Sequence, residues 1–201
     1  MNCDWIAPHY WWIERLGMGR TLERRRHWFL TQLKNARRAL VLGDGDGRFL
    51  RELLRQNSLV QADYVDLSSR MLELARQKAG VDRVAYRRAD ARALEFAPRE
   101  YDLIATHFFF DCFGSQELEA LIARVAATAT PGARWVVSEF CTGTIAVRML
   151  VRALYLFFRI TTDLRNQSLT DHRPILSAHG FRLIDAGYSR GGLVVSELWE
   201  R

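Results

Sequence analysis

The chain has 201 residues, 49% of them hydrophobic, which is enough for one domain with a sizeable core and short for two. The formal net charge is +6, but the arginines are scattered and no nucleic-acid-binding module accompanies them, so we expect no specific nucleic-acid partner. Three cysteines without paired spacing predict neither a disulfide framework nor a metal site, and they fit a reducing, cytoplasmic location.

The first 35 residues are predicted to form a helical cap rich in aromatic side chains. The opening segment mixes acids with apolar residues and lacks the order of a secretory signal. Further on, Arg24–His27 alternates with Trp28 and Phe29, which predicts the polar face of a helix. The boundary with the next unit is predicted at residues 35 and 36.

A glycine-rich turn follows the first predicted strand, Ala39–Leu42. Gly43, Gly45 and Gly47 allow the backbone to turn sharply and a ligand to approach closely, because no Cβ stands in the way. The helix that comes next offers unpaired N–H groups to an anionic ligand. The pattern predicts a nucleotide-type site at the carboxyl end of this strand.

The spacing of the glycines narrows the class of ligand that the turn could bind. A dinucleotide site needs a glycine where Arg48 stands, and a P-loop needs a Gly-Lys pair, whereas Lys34 and Lys78 lie away from the turn. The GxGxG turn resembles that of class I S-adenosylmethionine-dependent methyltransferases. A structural turn that binds no ligand is the alternative.

The second strand, Ala62–Leu67, contains an acid that suits a ribose, since one carboxylate accepts from two hydroxyls. Ser68 or Ser69 is predicted to cap the following helix. In the family that this segment resembles, the acid holds the ribose and the next residues flank the adenine. The resemblance therefore implies roles for Asp66, Leu67 and Met71, while a capping role at the start of the helix is the alternative for Asp66.

Later strands extend the resemblance over nearly the whole chain. Strands are predicted at 84–91, 100–106, 134–140 (after a Pro131–Gly132 turn), 181–188 and 192–199. The family pattern implies that Asp90 and Ala91 line the adenine pocket and that His107 lines the methionine end of the cofactor. It also implies an α/β fold of three layers, a Rossmann-like doubly wound sheet of seven strands, mostly parallel with an antiparallel C-terminal strand.

Residues 143–165 are predicted to form an apolar helical insertion within a single methyltransferase domain, 1–201, whose Rossmann-like core is 36–201. Arginines interrupt the apolar run, so it is too short and too charged to span a membrane. A lid or core helix, a homodimer face and an interfacial membrane contact are the three interpretations.

One position departs from the family pattern, because Val41 stands where many members carry an acid that helps to bind the cofactor's ammonium group. Asp44 or Asp46 could take over that role. The alternative is that these acids stabilise the loop by bonds to backbone N–H groups. This alternative is favoured for Asp46, and the two interpretations are even for Asp44.

The resemblance implies methyl transfer from S-adenosylmethionine to a small, partly apolar metabolite by in-line displacement, without a metal. A base is needed only if the acceptor carries a proton to lose. Each candidate has a structural alternative: a pocket wall for His107, a helix cap for Asp111 and a surface acid for Glu139. His9 and Tyr10 are further candidate bases from the N-terminal segment, and Tyr10 is also the favoured contact of that segment with the cofactor. The competing functions are an idle domain that binds a protein partner and, less favoured, an RNA methyltransferase.

Overall fold

A computed structural model describes residues 20–95, 98–141 and 170–201. The strands in this part are β1 Arg38–Leu42, β2 Gln61–Asp66, β3 Val84–Arg88, β4 Tyr101–His107, β5 Ala129–Phe140, β6 Arg182–Tyr188 and β7 Val194–Glu200. The helices are α1 Thr21–Arg26, α2 Arg48–Gln56, α3 Ser69–Ala79, α4 Ser115–Ala127 and α5 Arg173–Ala178. Short 3₁₀ turns lie at Leu30–Leu33, Phe110–Cys112 and Arg190–Gly192.

The seven strands form one sheet in the order β3-β2-β1-β4-β5-β7-β6. The first five strands pair in parallel, whereas β7 is antiparallel to both β5 and β6. The predicted doubly wound, mostly parallel sheet with an antiparallel final strand is thus confirmed. Because the winding reverses between β1 and β4, the carboxyl edge of these two strands is the place where open α/β sheets bind ligands.

Two apolar cores lie on opposite faces of the sheet, which makes the fold three-layered. On one face α2, α3 and the Leu30–Leu33 turn pack against the sheet, and on the other α4 and α5 do so. The central strands are buried on both sides, which explains why their sequences are continuous apolar runs rather than alternating ones. Such burial keeps the carboxyl ends of β1 and β4 in fixed positions.

The start of β5 differs from the prediction. The strand begins at Ala129, which pairs with Tyr101, so Pro131 and Gly132 lie within it rather than before it. Its pairing with β4 is irregular between Tyr101 and Leu103, where the chain accommodates the exposed Pro131 and the left-handed Gly132.

Two predicted segments lie outside the described residues, the N-terminal aromatic segment with His9 and Tyr10 and the apolar insertion at 143–165. Within the described ranges, no helix is both long enough and apolar enough to cross a bilayer. The proposed division at residues 35 and 36 stays a prediction, although β1 begins shortly after it.

Candidate functional site

All three glycines of the turn after β1 adopt left-handed backbone conformations. Their φ angles are 63° at Gly43, 66° at Gly45 and 77° at Gly47, a region that residues with a Cβ rarely occupy. Gly43 donates its N–H to the Val65 carbonyl over 3.0 Å, and the Tyr64 hydroxyl donates to the Gly45 carbonyl over 2.6 Å. Hydrogen bonds at Gly43 and at Gly45 therefore tie the turn to β2.

Protein atoms fill the space beside two of these glycines. A Cβ on Gly43 would lie 2.2 Å from Cδ2 of the Phe109 ring, and one on Gly47 would lie 2.7 Å from Cβ of Ala75. The loop after β4 and helix α3 therefore require these two glycines for packing, in addition to the turn itself. The sequence predicted the turn but not these neighbours.

Asp44 is buried, with 3% of its surface exposed. Its Oδ2 accepts a hydrogen bond from the Leu50 N–H over 3.1 Å, in the first turn of α2, where the N-cap Gly47 has no side chain to do so. Its Oδ1 has no hydrogen-bond partner among the described residues. Burial raises the pKa of Asp44 to about 7, against the attraction of Arg26. Asp44 thus stabilises the start of α2 with one oxygen, while its other oxygen has no hydrogen-bond partner among the described residues.

Asp46 ties the turn to helices α2 and α3 by ion pairs with Arg48 and Lys78. The Arg48 Nε donates to its Oδ1 over 2.8 Å, and the Lys78 ammonium contacts its Oδ2. Although burial opposes ionisation, these two cations lower the pKa of Asp46 below its ordinary value. The arrangement supports a loop-stabilising role, through side-chain partners instead of the backbone N–H groups that the sequence suggested.

Asp66 lies at the carboxyl end of β2, half-buried. Its Oδ1 accepts from the Ser68 N–H over 2.8 Å, and the Ser68 hydroxyl accepts from the Met71 N–H over 3.1 Å, so Ser68 caps α3. Met71 is buried beneath this turn, and Leu67 is partly exposed. The helix-start role of Asp66 is therefore real, and its ribose role stays a prediction.

Asp90 follows β3 at the same edge of the sheet. The backbone joins the two strand ends, because the Ala89 N–H donates to the Asp66 carbonyl over 3.2 Å. The Arg92 guanidinium holds the Asp90 carboxylate and lowers its pKa. Ala91 is buried against helix α4. The structure thus brings the predicted adenine-side acid next to the predicted ribose-side acid.

His107 ends β4 and is buried, with 3% exposed. Its Nδ1 lies 3.0 Å from the Ser138 hydroxyl, and its ring centroid lies 4.4 Å from that of Phe49. Burial lowers the pKa of His107 well below its ordinary value, so the ring is neutral. This setting favours His107 as a packed wall residue over a base, although its contact with a cofactor stays a prediction.

Asp111 lies in the Phe110–Cys112 turn, partly buried and not at the start of a longer helix. Its charge helps to raise the pKa of Glu139. Its predicted catalytic role is untested, as is that of Tyr10, which lies outside the described residues. Among the residues described, no three His, Cys, Asp or Glu side chains converge as a metal site would require.

Two polar residues are buried more deeply than the sequence indicated. Glu139, a candidate base with a surface acid as its alternative, is only 3% exposed, so the surface alternative is wrong. Arg26, expected on a polar helix face, is only 4% exposed, whereas Trp28 is 50% exposed. Arg26 lies over the Phe108 ring, 5.0 Å from its centroid, and its charge acts on Asp44. Because these contacts join residues that are far apart along the chain, no local pattern could reveal them.

Comparison with known proteins relates this edge to a family. Residues 39–132 match the family described as methyltransferase domain. A demethylmenaquinone methyltransferase from Deinococcus radiodurans is 32% identical over 139 residues, which are 67% of this chain and 57% of the relative. The chain thus spans less than two thirds of that relative.

Solved structures share the fold at lower identity. Magnesium protoporphyrin IX methyltransferase from Synechocystis, with bound S-adenosylhomocysteine, has a TM-score of 0.68 at 21% identity over 93% of this chain and 84% of its own. A putative O-methyltransferase from Nostoc punctiforme has a TM-score of 0.74 at 15% identity over 94% and 59%. The sequence match identifies a methyltransferase domain in this chain, and the shared fold is that of the class I S-adenosylmethionine-dependent methyltransferases.

Proposed function

We propose that the protein transfers a methyl group from S-adenosylmethionine to a small, partly apolar metabolite. One observation carries the proposal. The left-handed glycine turn lies at the switch point of the sheet, and the carboxyl edge there also holds Asp66 and Asp90, joined through the Ala89 N–H. All of these residues fall within the segment that matches the methyltransferase family.

The residues present fit the chemistry of this cofactor. Asp66 and Asp90 offer carboxylates to a ribose and to an adenine amino group. The cofactor's ammonium group is a hydrogen-bond donor, and Oδ1 of Asp44 is a buried acceptor without a partner among the described residues. This oxygen supports the proposal that Asp44 binds the ammonium group in place of the acid that many family members carry at the position of Val41.

Methyl transfer requires little covalent catalysis by the protein. Asp44, Asp66 and Asp90 would hold the cofactor, which would supply a methyl group already activated on a sulfonium for in-line transfer to the acceptor. The chain's own residues align the reactants and exclude water. The Phe109 ring, packed against Gly43, provides an apolar wall for this purpose.

The acceptor class rests on similarity and on the sequence. The names of the Deinococcus and Synechocystis proteins specify small molecules, which supports a small acceptor here. Four statements stay predictions. They are that the protein has no specific nucleic-acid partner, that it forms a homodimer, that it is cytoplasmic, and that Tyr10 and the 143–165 insertion roof the acceptor pocket. An idle domain and, less favoured, an RNA methyltransferase are the alternatives, and a purified chain that binds the cofactor but methylates none of a panel of quinol, phenol and amine acceptors would favour them.

Calorimetry with S-adenosylmethionine and S-adenosylhomocysteine tests the cofactor. We expect the wild type to bind both, and Asp66→Asn, which keeps an acceptor for the Ser68 N–H, to lose about 1.5–3 kcal/mol of binding free energy, as for hydrogen bonds to a charged group. The exposed Asp82, changed to Ala, serves as the control. No binding by the wild type, or tight binding of NAD instead, would contradict the proposal.

A further inference from the structure

Glu139 holds the loop after β4 with a single oxygen. Its Oε1 accepts hydrogen bonds from the N–H groups of both Phe109 and Phe110, each over 2.9 Å. These are consecutive donors just past the end of β4, where the parallel ladder no longer supplies carbonyl partners. Burying a carboxyl group is costly, so the bonds that it makes must offset that cost.

The loop that Glu139 holds has a conformation that needs support. Phe108 has a φ of 54°, which is unfavourable for a bulky residue. Its N–H donates to the Ser138 carbonyl over 2.7 Å, on the residue next to Glu139. The end of β5 therefore fixes three successive N–H groups of this loop, and two of them depend on the Glu139 side chain.

The same loop forms the wall beside the first glycine. The Phe109 ring lies so close to Gly43 that a Cβ there would be 2.2 Å from it, and the same ring makes a T-shaped contact with Phe113, with 5.0 Å between centroids. Moving the Phe109 backbone would move this ring. A physical chain of contacts thus runs from Glu139 through Phe109 to the glycine turn.

We propose that Glu139 is a positioning residue of the cofactor site, which sets the affinity for S-adenosylmethionine by holding Phe109 against Gly43. The inference rests on the proposed function, because it concerns the same site. It assigns Glu139 no proton to move and no contact with the reacting atoms.

The surroundings of Glu139 indicate that the acceptor oxygen matters and the charge does not. Burial and the negative charges of Asp111 and Glu197 raise the pKa of Glu139 well above its ordinary value, which favours the neutral carboxyl. Its Oε2 has no hydrogen-bond partner among the described residues. A neutral amide of the same length, with its oxygen placed as Oε1 is, should therefore replace it.

The test compares Glu139→Gln with Glu139→Leu by calorimetric titration with S-adenosylhomocysteine. We expect E139Q to bind within about threefold of the wild type and E139L to bind at least about tenfold more weakly, since two buried N–H groups lose their partner and the loop shifts. Rescue by the amide separates loss of the acceptor from loss of the charge.

Asn57 provides a matched control at the opposite edge of the sheet. Its Oδ1 accepts from two consecutive N–H groups, those of Leu59 over 2.9 Å and Val60 over 3.1 Å, and Asn57 is about as buried as Glu139. Asn57→Leu should lower the melting temperature as E139L does, yet leave the affinity for S-adenosylhomocysteine unchanged. A general loss of stability therefore cannot imitate the expected result.

A second variant keeps the inference testable if E139L does not fold. Phe109→Ala removes the ring that Glu139 is proposed to position, and we expect at least about a tenfold loss of affinity, as for an aromatic side chain in a binding site. Unchanged affinity in E139L or in Phe109→Ala would overturn the inference, as would an E139Q that binds as poorly as E139L. A wild type that binds no S-adenosylhomocysteine would instead overturn the proposed function.

Discussion

Gly43 and Gly47 both need a positive φ, but different neighbours stand against them. A Cβ on Gly43 meets the movable ring of Phe109, whereas one on Gly47 meets Cβ and backbone Cα of Ala75 at 2.7 and 2.8 Å. We expect Gly43→Ala to cost about 1–2 kcal/mol of unfolding free energy from backbone strain alone, with the clash added to it.

The clash can be separated from the strain by a double-mutant cycle. In a Phe109→Ala background, Gly43→Ala should cost at least about 1 kcal/mol less than in the wild type, because the two residues are in contact. Gly47→Ala should cost the same in both backgrounds. Urea denaturation measures all these differences, and strictly additive effects of Gly43→Ala and Phe109→Ala would contradict the observed packing.

Asp44 predicts a pH dependence of stability. Its folded pKa of about 7 exceeds its ordinary value of 3.8, so its contribution to folding is full below pH 4 and is lost as the pH rises through 7. Asp44→Asn retains an acceptor for the Leu50 N–H and cannot ionise. We expect the variant's melting temperature, relative to wild type, to be higher at pH 8 than at pH 5.

The result for Asp44 has a clear opposite. A difference in melting temperature between the two proteins that stays constant from pH 5 to pH 8 would show that Asp44 does not titrate in this range. Loss of cofactor affinity together with a gain in stability would fit a residue kept for binding at the expense of stability.

The sequence predicted the glycine turn because all its determinants are local. Three glycines, a strand before them and a helix after them lie within a dozen residues. Glu139 and Arg26 could not be predicted in the same way, since their partners, the loop N–H groups of Phe109 and Phe110 and the Phe108 ring, belong to a distant loop. Burial of a charged residue is unusual without such partners.

At the scale of the elements, the cap of α3 allows a sharp comparison. The Ser68 hydroxyl accepts from the Met71 N–H, while Ser69 is exposed at the first position of the helix. We expect Ser68→Ala to cost about 1 kcal/mol of unfolding free energy and Ser69→Ala much less. Equal costs in a denaturant titration would show that the cap bond contributes nothing to stability.

The elements themselves were largely predictable, and the exception is instructive. Buried parallel strands are short apolar runs, so β1, β2 and β4 were located to within a residue at each end. For β5, Pro131 and Gly132 predicted a turn before the strand. Pairing of Ala129 with Tyr101 overrides that signal, because an irregular register allows an exposed proline within the strand.

At the scale of the whole molecule, ligand binding should stabilise the fold by mass action. At a free concentration one hundred times the dissociation constant, S-adenosylhomocysteine should add about 2.7 kcal/mol and raise the melting temperature by about 5–10 °C. Adenosine at the same concentration is the control, since it lacks the methionine part. Equal shifts from both compounds would show that the glycine turn and Phe109 contribute nothing to recognition.

The resemblance to the methyltransferase family predicted the fold and the family correctly, and both are confirmed. It specified the cofactor edge because the glycine turn and the two strand-end acids are short patterns with fixed spacing. It could not specify the acceptor. The segments proposed to cover the site, around Tyr10 and at 143–165, carry apolar character without a pattern that identifies one partner.

The place of β7 has a consequence for how the protein is made. It is the last of the seven strands to leave the ribosome, yet it lies between β5 and β6 and pairs with both. Until Val194–Glu200 has emerged, the nascent chain exposes a bare edge of β5 and an unattached β6, which invites pairing with other chains. Released chains truncated between Tyr188 and Val194 should therefore be chaperone-dependent and aggregation-prone, even though the glycine turn and both acids are present.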